Sequence, residues 1–472
     1  MGMLGIQDNP GLAKDVQRRL FPLPEGERMS ETIGVPENAG TAAESEEAGT
    51  GTPRLRVAER NQVEFRACCW DDLLTDDHEA RTAWAYAKSF DRSPLLAAIK
   101  AVEGRPGHPP IDPRILIALW LYATLRGIGS ARELARRCET DLPFQWICGG
   151  VSVNHHTLAD FRVAHVELLD DWLSTSIAVL REQNLVTMDR VAQDGLKVRA
   201  SAGAASFRRG TTLETLLAEA REQVEILKAE LKTNPAAANR RQRAARERAA
   251  RERVERLQKA LEQLPLVQAG KPSAEKKEKA RVSTTDPEAR VMKMGDGGFR
   301  PAFNVQLAAD TQTQLVTGVD VTSSGGDQGK LAPMVEQHVE RYDEAPDEML
   351  VDGGFVKKED ITAVSAPRGN TTVYAPVQAS KSDTRDPHTP RPDDSPAVAE
   401  WRLRMATPEA KEIYKQRAAT IECVNAQVRN QGLYGVRVRG RPKVLAVVLW
   451  YVLAHNLRRE VALRAEAAAQ RE

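Results

Sequence analysis

Apolar positions along this chain change period several times, and each change marks a segment. In IDPRILIALWLYATLRG, Ile115, Leu119, Tyr122 and Leu125 recur at three and four with apolar neighbours, which predicts a helix buried on most sides. Ser130 with Glu133 forms a capping-box signature, so a helix should begin at SARELARRC. A short helix at LPFQWIC, a Gly-Gly break and a second capping signature, Thr157 to Asp160, complete a helix, turn, helix arrangement within residues 70–186. From Leu185 the pattern turns strand-like in LVTMDRVAQDGLKVRAS, and residues 208–264 then interrupt it. Leu213, Leu217, Ala220, Val224, Leu227 and Leu231 form a heptad seam. After the turn TNPA a second seam runs through Ala250, Val254, Leu257, Leu261 and Leu264, so the two arms should pair as an antiparallel helical hairpin.

Residues 265–295, rich in Lys, Pro and Ser, read as a loose return. FNVQLAAD and QLVTGVDV then alternate and should pair as a β-hairpin. Leu331, Met334, Val335, His338 and Tyr342 mark one helical face, with Pro333 in the first turn and His338 as a packed core histidine. A strand at MLVDGG, a helix at KKEDITAV, a strand at TTVYAP, a Pro/Asp-rich loop over 379–397 and a further helix follow. This order predicts an α/β fold, a mixed sheet with helices on its faces, preceded by an all-α segment and interrupted by the helical hairpin.

Charge changes the picture more than composition does. The net charge over 472 residues is only +1, which by itself argues against a nucleic-acid partner, but the charges are segregated. Residues 29–50 are acidic, small and without aromatics, and read as part of a disordered tail. The second hairpin arm, residues 239–260, carries nine bases against three acids. It reads either as a solvated coiled-coil face or as an arm that follows DNA. From Ile413 to Arg459 there are nine bases, and Glu422 is the only acid. The five cysteines form no C-x-x-C pair, so neither a disulfide framework nor a zinc site is indicated, and a reducing, cytoplasmic setting is expected. The longest apolar run, Val444 to Ala454, is far short of the roughly 20 residues of a membrane span.

Three carboxylates stand out on this order of elements. Asp194, before Gly195, is placed at the end of the first strand; Asp352 ends an apolar strand before Gly353 and Gly354; Glu422 comes from a helix. Carboxylates at strand ends, beside glycines that let a phosphate backbone approach, suit an oxygen-liganded divalent metal site. Two such cations can activate the attacking oxygen and stabilise the leaving one in a phosphoryl displacement. Singly, each acid has a plain alternative, since Asp before Gly is a common turn and a helical Glu is usually solvated. Together they give the lone Glu422 a reason: a single buried acid that binds metal inside a positive surface that binds DNA. R-G-R-P over Arg439–Pro442 is either a minor-groove hook or the first turn of the last apolar helix.

At these residues the chain resembles the DDE transposases of bacterial insertion sequences, in the insertion-sequence-five-like group. The resemblance rests on GHPPIDPRILIALWLYATLRGIGSARELARRC, GGVSVNHHTLADFR, VAQDGLKVRASAGAASFRR, STTDPEARVMKMGDGGFRPAFNVQLAAD, LVDGGF and YKQRAATIECVNAQVRN. It implies an RNase H-like catalytic fold with Asp194, Asp352 and Glu422 as catalytic metal ligands for two Mg2+ ions, for which Mn2+ can substitute. The family's C-terminal signature of Tyr, Arg, Glu and Lys falls on Tyr414, Arg417, Glu422 and, departing from the pattern, Arg429. Four residues separate Arg417 from Glu422. With Arg437, Arg439, Arg441 and Lys443, these basic and aromatic residues are expected to hold DNA.

The implied organisation is an acidic tail over 1–53, a helical DNA-binding domain over 54–186, the first catalytic strand over 187–207, hairpin and linker over 208–295, and the rest of the catalytic domain over 296–472. The implied function is metal-dependent cleavage at the element's terminal inverted repeats and strand transfer into target DNA, by at least a homodimer and without a membrane. Two alternatives stay open: a non-catalytic DNA-binding derivative, and a nuclease of the same fold without strand transfer.

Overall fold

A computed structural model describes residues 69–470 apart from 105–106, 234–239, 367–368 and 380–384. The expected acidic tail and most of the TNPA turn lie outside these residues. Residues 79–182 form seven helices: α1 Glu79–Ser89, α2 Ser93–Ala97, α3 Pro113–Leu125, α4 Ala131–Thr140, α5 Leu142–Cys148, α6 His155–Ala164 and α7 Val166–Glu182. Twelve of the thirteen residues of α3 are buried, as its nearly continuous apolar sequence requires. Ser130 caps α4 through the Glu133 amide, but the Glu133 carboxylate turns to Arg136 and Arg137, so only half of the expected box forms. The cap of α6 is Asn154, whose side chain accepts from the Thr157 amide at 2.9 Å. That helix therefore starts before the Thr157 signature, because Asn is the stronger cap.

The sheet is built on β1 (Arg190–Arg199). After it come β2 (Phe207–Arg208), the hairpin helices α8 (Gly210–Thr233) and α9 (Arg240–Ala269), the short α10 (Ala274–Glu278), and β3 (Val282–Ser283). Then follow β4 (Arg290–Lys293), β5 (Phe299–Asp310), β6 (Val316–Thr322), α11 (Leu331–Tyr342), β7 (Glu348–Leu350), α12 (Lys358–Val364) and β8 (Thr372–Tyr374). Strands run in the order β4-β5-β1-β7-β8, with β6 also on β5. β5 is antiparallel to β1, β4 and β6, while β7 is parallel to β1 and β8 to β7. The sheet is mixed, as expected. The stretch read as a loose return is more ordered than its composition suggested: α9 runs on through Pro265 to Ala269, and β4 joins the sheet.

The hairpin has a small core of its own around Leu213, Leu217, Ala220, Leu257 and Ala260, closed at its base by Val282 of the two-stranded β2–β3 pair. The N-terminal helices, most of the sheet and the C-terminal helices share one core. α13 (Pro396–Ala406), α14 (Pro408–Arg417), a π-helical turn (Ala418–Glu422) and α15 (Cys423–Asn430) lead to the long α16 (Arg441–Ala469). Every residue of α16 from Ala446 to Leu457 is buried, and Pro442 lies in its first turn. The two polar residues in that run are satisfied. Asn456 both accepts from the Val316 amide and donates to the Val316 carbonyl at 2.9 Å, and the His455 ring bonds the Gln314 carbonyl at 2.8 Å. Burial pulls the His455 pKa down to about 4. His338 is likewise a neutral core histidine, held by Thr317 and the Met334 carbonyl.

Candidate active site

The sheet brings the two aspartates side by side. Ala192 of β1 is level with Leu350 of the parallel β7, so two residues farther along each chain stand Asp194 and Asp352. Asp194 does not end its strand as expected: β1 continues to Arg199 because β5 still pairs it, and what stops at Ala192 is the pairing with β7. The Asp194 carboxylate accepts from the Gly195 amide at 2.8 Å and from Asn425 Nδ2 at 3.1 Å. Burial raises its pKa; the Gly195 amide and Arg417 oppose that, and the charge of Asp352 adds to it. Asp352 accepts from the Gly354 amide in a tight turn.

The opposing wall comes from α14, the π-turn and α15. Residues five apart on an α-helix differ by about 140° in direction, whereas wider π-winding stacks them. The four residues between Arg417 and Glu422 wind in this way, and Arg417 Nη2 meets Glu422 Oε1 at 2.9 Å. The other guanidinium nitrogen lies 4.0 Å from Asp194 Oδ2, so one arginine spans two of the three acids. Its carbon sits 5.9 Å from the centre of the half-buried Tyr414 ring. The Tyr414 hydroxyl is held above its ordinary pKa, chiefly by burial. Glu422 itself is not the buried acid expected: its side chain is 58% exposed, which leaves it free to turn toward an incoming group. Arg429 is exposed on the same helix.

Sequence reasoning missed two neighbours. Asn425, buried and three residues beyond Glu422, donates to Asp194 while its own Oδ1 has no partner. An i, i+3 offset from the expected acid was the available signal. The second is Asp327, in the loop 323–330 behind β1. Its Oδ1 accepts from Asn304 Nδ2 at 2.6 Å, Gln306 Nε2 at 2.8 Å and Lys197 Nζ at 3.2 Å. Gly195 makes room for it, since a Cβ there would stand 2.2 Å from Asp327 Oδ1.

The expected DNA-contacting loop docks on the hairpin's return. The Gly440 amide donates to Asp286 Oδ1 at 3.2 Å and the Arg441 amide to Glu288 Oε2 at 2.9 Å. Burial pushes Asp286 up to about 6. Arg437, Arg439 and Lys443 are exposed.

Among the described residues, no three His, Cys, Asp or Glu side chains converge as a ready-made cation-holding group. The donor set nevertheless suits a hard cation. Asp194 is a partly buried carboxylate whose charged form is disfavoured, Asp352 stands beside it, and the unpartnered Asn425 Oδ1 adds a neutral oxygen. Arg417 supplies positive charge between Asp194 and Glu422.

Comparison with known proteins gives two matches. Residues 69–164 match a family described as Transposase domain (DUF772), and residues 378–461 match one described as Transposase DDE domain. No curated protein and no solved structure matches. Among the described residues no helix is long and apolar enough to cross a membrane.

Proposed function

On the premise that an N-terminal and a C-terminal segment both match transposase families, which supports a DDE transposase of the insertion-sequence-five-like type, we propose that the chain cleaves DNA at the ends of its element and joins them to target DNA. The mixed sheet, antiparallel from β1 through β5 to β6 and parallel from β1 through β7 to β8, supports an RNase H-like catalytic core. The observation that carries the proposal is the shared guanidinium: Arg417 bridges Asp194 and Glu422, while register sets Asp352 next to Asp194.

In this reading Asp194, Asp352 and Glu422 hold divalent cations such as Mg2+. Bound there, these ions supply the charge that activates the attacking oxygen and stabilises the leaving one. The chain's own residues do the rest. An entering DNA phosphate takes over Arg417 through a bidentate contact, which releases both carboxylates. Glu422, exposed and, among the described residues, tethered to that arginine alone, then turns inward. Arg429, Arg437, Arg439, Arg441 and Lys443 hold flanking phosphates, and the Tyr414 ring keeps Arg417 in place. Asn425 orients Asp194 through its amide. Bringing both element ends together calls for at least a dimer on DNA.

Glu422→Gln tests this. It keeps the side chain's size and removes its charge, so Mg2+-dependent cutting of duplexes carrying the DNA that flanks the gene should fall at least a hundredfold, with binding to the same duplexes little changed. Undiminished cutting by the variant would mean that Glu422 is a structural acid pairing with Arg417, and would favour a metal site elsewhere. Cutting without joining in the wild type would favour a nuclease.

A further inference from the structure

The most exposed large apolar side chain among the described residues is Phe299, 70% accessible, at the start of β5. It faces Lys293 across the β4–β5 ribbon, next to Val291, which is 50% exposed and pairs with Pro301. Alternation puts Val291, Lys293, Phe299 and Pro301 on one face of the ribbon and Met292 on the other. The Met292 face is covered: Met292 is 3% exposed, and a Cβ added at Gly325 of the 323–330 loop would stand 3.6 Å from its Cγ. The other face is open at Val291, Lys293 and Phe299, with Pro301 buried at its root. An uncovered apolar face in a strand pair whose other face is packed calls for a partner.

The ribbon is also prepared in advance. Met294 donates to the Gly298 carbonyl at 2.8 Å, Gly297 has φ +80°, and Asp296 ties the turn by accepting from the Gly298 amide and from Arg300 at 2.7 Å. Beyond Ala302, where register with Arg199 of β1 ends, β4 and β5 project as a two-stranded ribbon. At its root the exposed Arg199 donates its amide to the Tyr434 carbonyl, and Tyr434 is 61% exposed. Arg437 and Arg439 follow in the same loop. Apolar side chains on a fixed ribbon, flanked by bases, match the dimensions and charge of a DNA major groove.

The position relative to the carboxylates is set by the register. Asp194 is level with Leu307, and Phe299 lies eight residues from Leu307 on the same face of β5. At a rise of about 3.4 Å per residue, this is about 27 Å, or about eight base pairs of duplex. Resting on the transposase reading, we propose that the β4–β5 ribbon enters the major groove about eight base pairs from the cut phosphate. There Phe299 lies on a thymine methyl group while Lys293 holds the backbone.

The test uses the full chain and two 40-base-pair probes, alternating dA·dT and the same duplex with uracil in place of thymine, which removes only the methyl groups. The wild type should prefer the thymine duplex by roughly fourfold, the scale of burying one methyl. Phe299→Ala, at a surface position that leaves the fold intact, should lose that preference and bind the thymine duplex roughly tenfold more weakly with an unchanged salt slope. Lys293→Gln should keep the preference and lower the slope of log affinity against log salt by about 0.9. Equal affinity of the wild type for both probes, or a preference retained in Phe299→Ala, overturns the ribbon assignment. That outcome leaves the transposase reading standing if Glu422→Gln still abolishes cutting, whereas intact cutting by Glu422→Gln would remove the catalytic reading and not the ribbon.

Discussion

Asp194 and Asp327 lie back to back across strand β1, and their surroundings differ in kind. Asp327 is saturated: Lys197, Asn304 and Gln306 all donate to it, and Gly195 lets it press against the strand. Asp194, on the other face, has two amide donors, an arginine at 4.0 Å and a second aspartate nearby, and burial raises its pKa. A carboxylate supplied with partners holds a fold together. One left short of positive charge in a polar cleft is poised to take a cation.

Gly195→Ala should disturb this contrast most. The new Cβ would overlap Asp327, and either that side chain or β1 must shift, at a cost of about 3 kcal/mol with cutting lowered in parallel because Asp194 is the next residue. Denaturant unfolding and cutting rates check both. Asp327→Asn should do less, costing about 2 kcal/mol by removing the charge that Lys197 meets while Asp194 keeps its position. Cutting by the remaining folded protein should be close to normal. A loss of cutting as large as in Glu422→Gln would make Asp327 part of the reaction as well.

At Asp286, a buried acid that anchors Gly440 and has one oxygen without a partner, the expected effect is confined to the acid range of pH. Its folded pKa, about 6, exceeds the unfolded value of about 3.9. Its contribution is therefore full only well below pH 4, declines as the pH rises through 4 to 6, and is lost above the folded pKa. Asp286→Asn should flatten this part of the stability profile, as followed by chemical unfolding between pH 4 and 7.

Much of the plan was legible because it depends on local periodicity. The heptad seams of α8 and α9, the β5–β6 hairpin and the amphipathic face of α11 ending at Tyr342 all follow from spacing alone. The start of α6 was not, since Asn154 competes with Thr157 for the same cap. The site was legible as residue types and not as environments. Nothing in the spacing of Arg417 and Glu422 announces a π-turn or the exposure of Glu422. Asp327 was invisible because its partners, Lys197, Asn304 and Gln306, come from two distant strands.

Under the proposed function, Asp194 is short of partners because a divalent cation completes it. Thermal melting of the wild type and of Asp194→Asn at neutral pH, each with and without Mg2+, tests this without any DNA substrate. Because the folded pKa of Asp194 is raised, its ionised form weakens the free protein above that pKa, so the asparagine variant should melt higher than the wild type in the absence of metal. Mg2+ should then raise the melting temperature of the wild type and leave the variant's unchanged. Equal responses to Mg2+ in the two proteins, or a variant that melts lower without metal, would contradict the account.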